Sequence, residues 1–148
     1  MGDSEQQLSL ARQHIAQQIG SITRASQLYT TAAWGNNNQP DFLNQVIIVE
    51  TNLAAQPLLQ LILTIEENMG RVRTTKYAPR VIDIDILFYN EEIITSNNLV
   101  VPHPEIENRR FVLIPLNELD PKFTHPISKK NMKTLLLECT DPLEVKKF

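Results

Sequence analysis

Val81-Ile82-Asp83-Ile84-Asp85-Ile86-Leu87-Phe88 alternates apolar residues and acids about its centre. Successive side chains of a strand point to opposite faces, so Ile82, Ile84 and Ile86 share one face while Asp83 and Asp85 share the other. The isoleucine face reads as turned to a core. The two carboxylates then stand about 7 Å apart along the strand. The stretch Val81–Tyr89 is thus expected to be a strand, and its neighbours decide what kind of sheet it joins.

Upstream, Leu58, Leu61, Ile62, Ile65 and Met69 recur at helical spacing. Pro57 suits the first turn of that helix and Gly70 its end. Before it, Phe42–Thr51 contains Val46-Ile47-Ile48-Val49, a run suited to a buried strand. Residues 32–41 are rich in turn formers and read as a loop. Residues 22–30, with Thr23, Tyr29 and Thr30, favour a further strand. The first helix spans residues 4–19, with Leu8, Ala11, Ile15 and Ile19 on one face, Asp3 as cap and Gly20 closing it.

Downstream the pattern weakens. Asn97–Arg110, with Pro102 and Pro104, reads as loop; residues 111–118 suggest a short helix broken before Pro121, and 131–138 another. The order is helix, strand, strand, helix, strand, then an irregular tail. One strand placed in front would make it βαββαβ, the split βαβ arrangement. There is no internal repeat and no linker, so residues 1–148 are expected to form a single domain.

Apolar residues make up 42% of the chain, enough for an ordinary core. The single cysteine, Cys139, cannot form an intrachain disulfide, which fits a reducing compartment. No stretch approaches the roughly 18 apolar residues of a membrane span. The start, Met1-Gly2-Asp3-Ser4-Glu5, is not a signal peptide, so a cytoplasmic location is the default. Net charge is −3, which argues against a general nucleic-acid binder. Yet residues 71–80, Arg-Val-Arg-Thr-Thr-Lys-Tyr-Ala-Pro-Arg, hold four cations and no anion.

A bare Asp-x-Asp is more often a solvated strand face than a metal site. Here the pair lies on an apolar strand, and the cationic segment immediately precedes it. Like charges on one face repel, and a divalent cation relieves that directly. Magnesium takes oxygen ligands and commonly binds through one or two carboxylates plus substrate phosphates. Guanidiniums beside it would grip phosphate oxygens bidentately. Carboxylates for a metal next to arginines for phosphate is the equipment of phosphoryl transfer. Each arginine alone is equally readable as a surface charge.

These residues also carry a resemblance. Lys76-Tyr77-Ala78-Pro79-Arg80-Val81-Ile82-Asp83-Ile84-Asp85-Ile86-Leu87 resembles the signature of the 6-hydroxymethyl-7,8-dihydropterin pyrophosphokinase family of folate biosynthesis. Gly70-Arg71-Val72-Arg73 precedes it at the family's spacing. Gln39-Pro40-Asp41-Phe42-Leu43-Asn44, Val101-Pro102-His103-Pro104 and Asn108-Arg109-Arg110-Phe111 resemble further segments, in order. The resemblance implies a ferredoxin-like α+β fold: an antiparallel sheet with helices on one face, plus a C-terminal extension. It implies transfer of the terminal pyrophosphate of ATP to the pterin hydroxymethyl group, with release of AMP. It implies that Asp83 and Asp85 hold two Mg2+ ions. Arg71 and Arg80 would join them in catalysis, and Glu66, Arg71, Arg73, Arg80, His103 and Arg109 would contact ATP. Asn44 would bond the pterin edge, Phe111 would stack on its ring, and Thr31 and Trp34 would belong to the loop over that pocket. Without the resemblance, Asn44 reads as a turn-proximal cap, Phe111 and Trp34 as packing aromatics, and His103 as a loop histidine. A monomer is expected.

The family normally opens with a short apolar strand and a Gly-Ser-Asn-Leu-Gly-Asp-like turn, whereas this sequence starts inside that turn, at Gly2-Asp3. The first strand is therefore expected to be missing or truncated here, with the native protein starting earlier. That departure keeps a second reading open, a non-catalytic ferredoxin-like binding or regulatory module or an inactive family relic. An RNA-binding sheet of the same topology is a third. The acidic balance and an aromatic content of 6% weigh against it.

Overall fold

A computed structural model describes residues 4–31, 42–70 and 82–148. These fall into two compact units. One is drawn from Met1–Thr23 and Ile48–Ile86, the other from Arg24–Ile47 and Leu87–Phe148. The architecture is α+β. Among the described residues there are four α-helices and seven short strands.

In the first unit, α1 (Ser4–Gln18) packs on α2 (Ala55–Gly70). The predicted apolar faces supply the buried residues: Ala11 and Ile15 from α1, and Leu58, Ile62, Ile65 and Met69 from α2. Leu8 and Leu61 are half-buried at the margins. Helix α1 ends because Gly20 starts a strand, β1 (Gly20–Ala25), that pairs with β4 (Ile47–Thr51). Glycine is required there by close approach: an added Cβ would run into the Glu50 carbonyl oxygen. Thr51 Oγ1 donates to the Ile19 carbonyl at 2.8 Å and accepts the Leu53 N–H at 3.1 Å, joining the end of α1 to the approach of α2.

Each of the two expected early strands is divided. Residues 22–30 fall into β1 and β2 (Tyr29–Thr31); residues 42–51 fall into β3 (Phe42–Asn44) and β4. The cause is side-chain competition for the ladder. Ser26 N–H donates to the Val46 carbonyl at 2.8 Å, but Val46 N–H donates to Ser26 Oγ at 3.0 Å rather than to a carbonyl. Gln45 Nε2 takes the Ser26 carbonyl at 2.7 Å. Serine side chains offer the backbone such alternatives to sheet pairing.

The second unit holds a three-stranded antiparallel sheet in the order β3-β2-β7, where β7 is Val145–Lys147. Thr31 stands opposite Phe42 on one side and Val145 on the other. A small hairpin pairs β5 (Ile94–Thr95) with β6 (Val100–Val101). A 3-10 turn (Ile106–Asn108) leads into α3 (Arg110–Leu119), and α4 (Met132–Glu138) packs on α3. Their core is Ile106, Val112, Leu113, Met132 and Leu135, with Leu87, Phe88 and Phe123 against it.

The tail is more ordered than its sequence suggests. The expected loop Asn97–Arg110 contains β6 and the 3-10 turn, and β7 lies where no element was expected. The opposite correction applies to Val81–Tyr89. Ile82–Phe88 keeps the alternation of half-buried isoleucines and exposed aspartates but joins no sheet among the described residues. Alternation specifies an extended backbone with two faces. A ladder needs a neighbouring strand as well, and here the Ile84 N–H goes to a side chain instead. Asp3, the expected cap of α1, lies outside the described residues, as does the 32–41 loop.

Candidate active site

The carboxylate pair sits in the first unit. Asp83 and Asp85 are both exposed, while Ile82, Ile84 and Ile86 between and beside them are half-buried. The alternation therefore does what the sequence asked of it, turning both acids outward. The link that fixes this segment is Glu66, on the last turns of α2. Its Oε2 accepts the Ile84 N–H at 2.6 Å, a short charge-assisted bond to the amide between the two aspartates. Glu66 was expected on the nucleotide side. Its carboxylate is engaged at least partly in holding the Asp-x-Asp backbone.

The oxygen donor set suits a hard cation such as magnesium. No cluster of three or more His, Cys, Asp or Glu gathers at one point among the described residues. Magnesium does not need one, because water and substrate phosphate complete its shell. Arg71, Arg73 and Arg80, the expected phosphate ligands, lie outside the described residues, as does Trp34.

The second unit carries the remaining positions. His103 follows β6. Its backbone N–H donates to the Leu87 carbonyl at 2.9 Å, and its Nδ1 accepts the Glu105 N–H at 3.1 Å. An acceptor role at Nδ1 leaves Nε2 as the donor of the neutral ring, so His103 can offer a hydrogen bond to an anion. Arg109 is the residue before α3, and Phe111 lies in its first turn. The guanidinium stands 5.8 Å from the centre of the Phe111 ring, within cation–π range. Phe111 is half-buried against the α3/α4 core, so its ring is a fixed platform. Among the described residues the Arg109 guanidinium has no carboxylate partner, which suits it to an anionic ligand.

Thr31 and Asn44 are brought together by the β2–β3 register. Tyr29 opposes Asn44 and Thr31 opposes Phe42, so all four share one face of the sheet. Asn44 Nδ2 donates to Thr31 Oγ1 at 3.2 Å. Thr31 is buried, 3% exposed, and Asn44 is half-buried. The Asn44 carbonyl oxygen is thereby oriented by a residue that cannot move far.

Sequence reasoning missed Arg110, Asp141 and Glu118. Arg110 donates from Nε to the Asp141 carbonyl at 3.1 Å and from Nη2 to the Cys139 carbonyl at 3.0 Å. Its backbone N–H donates to Asp141 Oδ2 at 3.0 Å. Glu118 accepts the Tyr29 hydroxyl at 2.6 Å and the Gln27 N–H at 3.1 Å. The only signal for Arg110 was its place in the Asn108-Arg109-Arg110-Phe111 segment. Nothing in the spacing points to its partners some thirty residues on.

An antiparallel α+β fold with an outward carboxylate pair is compatible with a protein of the phosphoryl-transfer class. A family model described as 7,8-dihydro-6-hydroxymethylpterin-pyrophosphokinase (HPPK) matches residues 1–121. The chain belongs to that family. It is 44% identical over 119 residues to the 2-amino-4-hydroxy-6-hydroxymethyldihydropteridine pyrophosphokinase of Aquifex aeolicus, covering 80% of this chain and 74% of that one. The Bacillus subtilis protein of the same name is 39% identical over 123 residues, covering 80% of this chain and 72% of that one. The folic acid synthesis protein FOL1 of Dictyostelium discoideum is 43% identical over 105 residues, 71% of this chain but 16% of that much longer one.

Proposed function

We infer that this chain transfers the terminal pyrophosphate of ATP to the hydroxymethyl group of 6-hydroxymethyl-7,8-dihydropterin in folate biosynthesis. The observation that carries the reading is the exposed Asp83/Asp85 pair, held at its central amide by Glu66, in a chain of this family. The pterin hydroxyl oxygen forms a bond to the β-phosphorus of ATP, the bond from that phosphorus to the α–β bridging oxygen breaks, and AMP leaves with it. The hydroxyl proton passes to solvent or to a phosphate oxygen in the step.

Asp83 and Asp85 would hold the Mg2+ ions, two being expected. Bound there, magnesium supplies neutralisation of the charge on the transferring group. The protein's own part is positioning and electrostatics. Arg71, Arg73, Arg80 and Arg109 would grip the phosphates, with Arg71 and Arg80 at the transferred group. His103 would donate from Nε2 to the nucleotide. Asn44, steadied by Thr31, would bond the pterin edge, Phe111 would carry its ring, and Trp34 would belong to the loop over that pocket. Residues 1–148 would act as one catalytic domain, a cytoplasmic monomer. No helix among the described residues is long and apolar enough to cross a membrane.

The test is AMP formation from ATP, magnesium and the hydroxymethyl pterin. Asp83→Asn and Asp85→Asn should each lower kcat by at least about 100-fold, since losing metal stabilisation of several kcal/mol is worth a factor of ten for each 1.4. Full activity in both variants would remove the pair from the reaction.

A further inference from the structure

Arg109 and Phe111 flank Arg110 at the start of α3, and the reading above places the first two at the substrates. The first four N–H groups of a helix lack intrahelical partners and need outside acceptors. Arg109, the capping residue, provides no side-chain acceptor. The acceptor comes instead from Asp141, whose Oδ2 takes the Arg110 N–H at 3.0 Å. Its Oδ1 takes the Leu143 N–H at 3.0 Å, so one carboxylate ties the start of α3 to the C-terminal stretch. The Arg110 side chain closes the same tie from the other direction, through the carbonyls of Cys139 and Asp141. A few residues on, β7 pairs with β2, and Val145 stands opposite Thr31. The stretch from Cys139 to Lys147 therefore touches both the helix start that carries Arg109 and Phe111 and the strand that carries Thr31. It lies wholly beyond residue 121, where the family match ends.

We propose that Asp141 is a positioning residue of this enzyme: by capping α3 and clamping Arg110 it sets where Arg109 and Phe111 stand. The proposal rests on the reading of those two as substrate-contacting. Its physical basis is that Arg109 has extended backbone angles, φ −129° and ψ 102°, immediately outside the helix. A helix start released from its cap frays over the first turn, which here is the turn that carries Phe111. The Arg109 guanidinium rests on that ring, so both groups move together. Displacing groups that contact the substrates weakens binding in the ground and transition states alike, which is read as a raised KM.

The experiment is steady-state kinetics on the full chain, run well below its melting temperature. The variants are Asp141→Ala, Asp141→Asn and Arg110→Gln, with Arg109→Ala and Phe111→Ala alongside. Asp141→Ala and Arg110→Gln should raise KM for both substrates about tenfold, and Asp141→Asn, which keeps one of the two acceptor oxygens, should recover only part of it. A role confined to stability would instead lower kcat through the folded fraction and leave KM unmoved. Unchanged KM in Asp141→Ala and Arg110→Gln, with KM raised in Arg109→Ala and Phe111→Ala, would overturn the positioning role and leave the site reading standing. Unchanged KM in the latter two would overturn the site reading and the proposal with it. Should Asp141→Ala fail to fold, Asp141→Asn decides: its single acceptor oxygen serves only one of the two N–H groups, so KM for both substrates should still rise, and an unchanged KM would overturn the proposal.

Discussion

Tyr29 shows how much one buried contact decides. Burial pushes its phenol up to about 12, and the hydrogen bond to Glu118 and the charge of that carboxylate act in the same direction. In the unfolded chain the phenol titrates near 10. Between those values the folded chain holds a proton that the unfolded chain has released. This contribution to stability is therefore complete below about pH 10 and is lost as pH rises toward 12. Melting temperatures measured from pH 8 upward should fall along that slope, and Tyr29→Phe should flatten it. At neutral pH the same variant should cost about 0.5–1.5 kcal/mol for the lost bond. His125 is the acid-side counterpart. Burial pushes its imidazole below the usual range, against a weaker upward pull from Glu107. Its Nδ1 accepts the N–H groups of Ile127 and Ser128 at 3.2 and 3.3 Å, and its ring lies edge-on to Phe88. The unfolded histidine takes up a proton near pH 6.5, which the folded one resists. Stability present above about 6.5 should fall as pH drops below it, and His125→Asn should remove that part of the acid slope in denaturant titrations. Neither contact could be read from the sequence. The partner of Tyr29 is 89 residues away, and His125 lies in no motif. The Asp83/Asp85 pair was legible because its signal is local, an alternation complete within a few residues. The Glu66 bond that steadies it spans 18.

Helices were the legible elements and strands the less legible ones, for reasons the elements themselves show. Helices α1 and α2 came from apolar periodicity, and each buries the face it predicted, while α4 lies where residues 131–138 suggested a helix. A helix makes its own backbone hydrogen bonds, so a local pattern suffices. A strand depends on its neighbour. Ile82–Phe88 has the strand pattern without a ladder, and Val145–Lys147, with two lysines, has a ladder without the pattern because β2 supplies the pairing. Helix ends divide the same way. Asn131 caps α4 locally, its side chain accepting the Thr134 N–H at 2.8 Å. Helix α3 is capped remotely at both ends, by Asp141 at the N-terminus and by the Arg24 guanidinium, which donates to the Leu119 carbonyl at 2.6 Å. The local cap gives a clean prediction. Asn131→Ala should destabilise the protein by about 1 kcal/mol, read from denaturant midpoints at constant slope, with KM for both substrates unchanged. Destabilisation below a few tenths would mean that the Asn131 bond adds nothing beyond what water supplies.

At the scale of the whole molecule, the family match and the physical core do not end together. The match stops at residue 121, but the core of the second unit continues past it. Met132 is fully buried and Leu135 is 3% exposed, both packed with Ile106, Val112 and Leu113. Truncating one such side chain to alanine costs about 2–5 kcal/mol, because a cavity is left where contacts were. Ending the chain after Pro121 would remove both, along with Leu136 and Phe123 from the margin and β7 from the sheet. Whole-protein stabilities are about 5–15 kcal/mol, so losses of that size should leave the second unit without a cooperative transition. A chain of residues 1–121 should therefore give a broad thermal melt by circular dichroism and rapid proteolysis between residues 87 and 121. Excess ATP and magnesium should not restore it, since mass action adds only about 2.7 kcal/mol at a ligand concentration one hundred times Kd. The full chain carrying Met132→Ala should sit between the two, and Leu137→Ala, on the same helix but 77% exposed, should change stability by less than about 0.5 kcal/mol. A sharp, protease-resistant melt of the shortened chain would mean that α3 and the 3-10 turn before it close their own core, and that α4 only covers it.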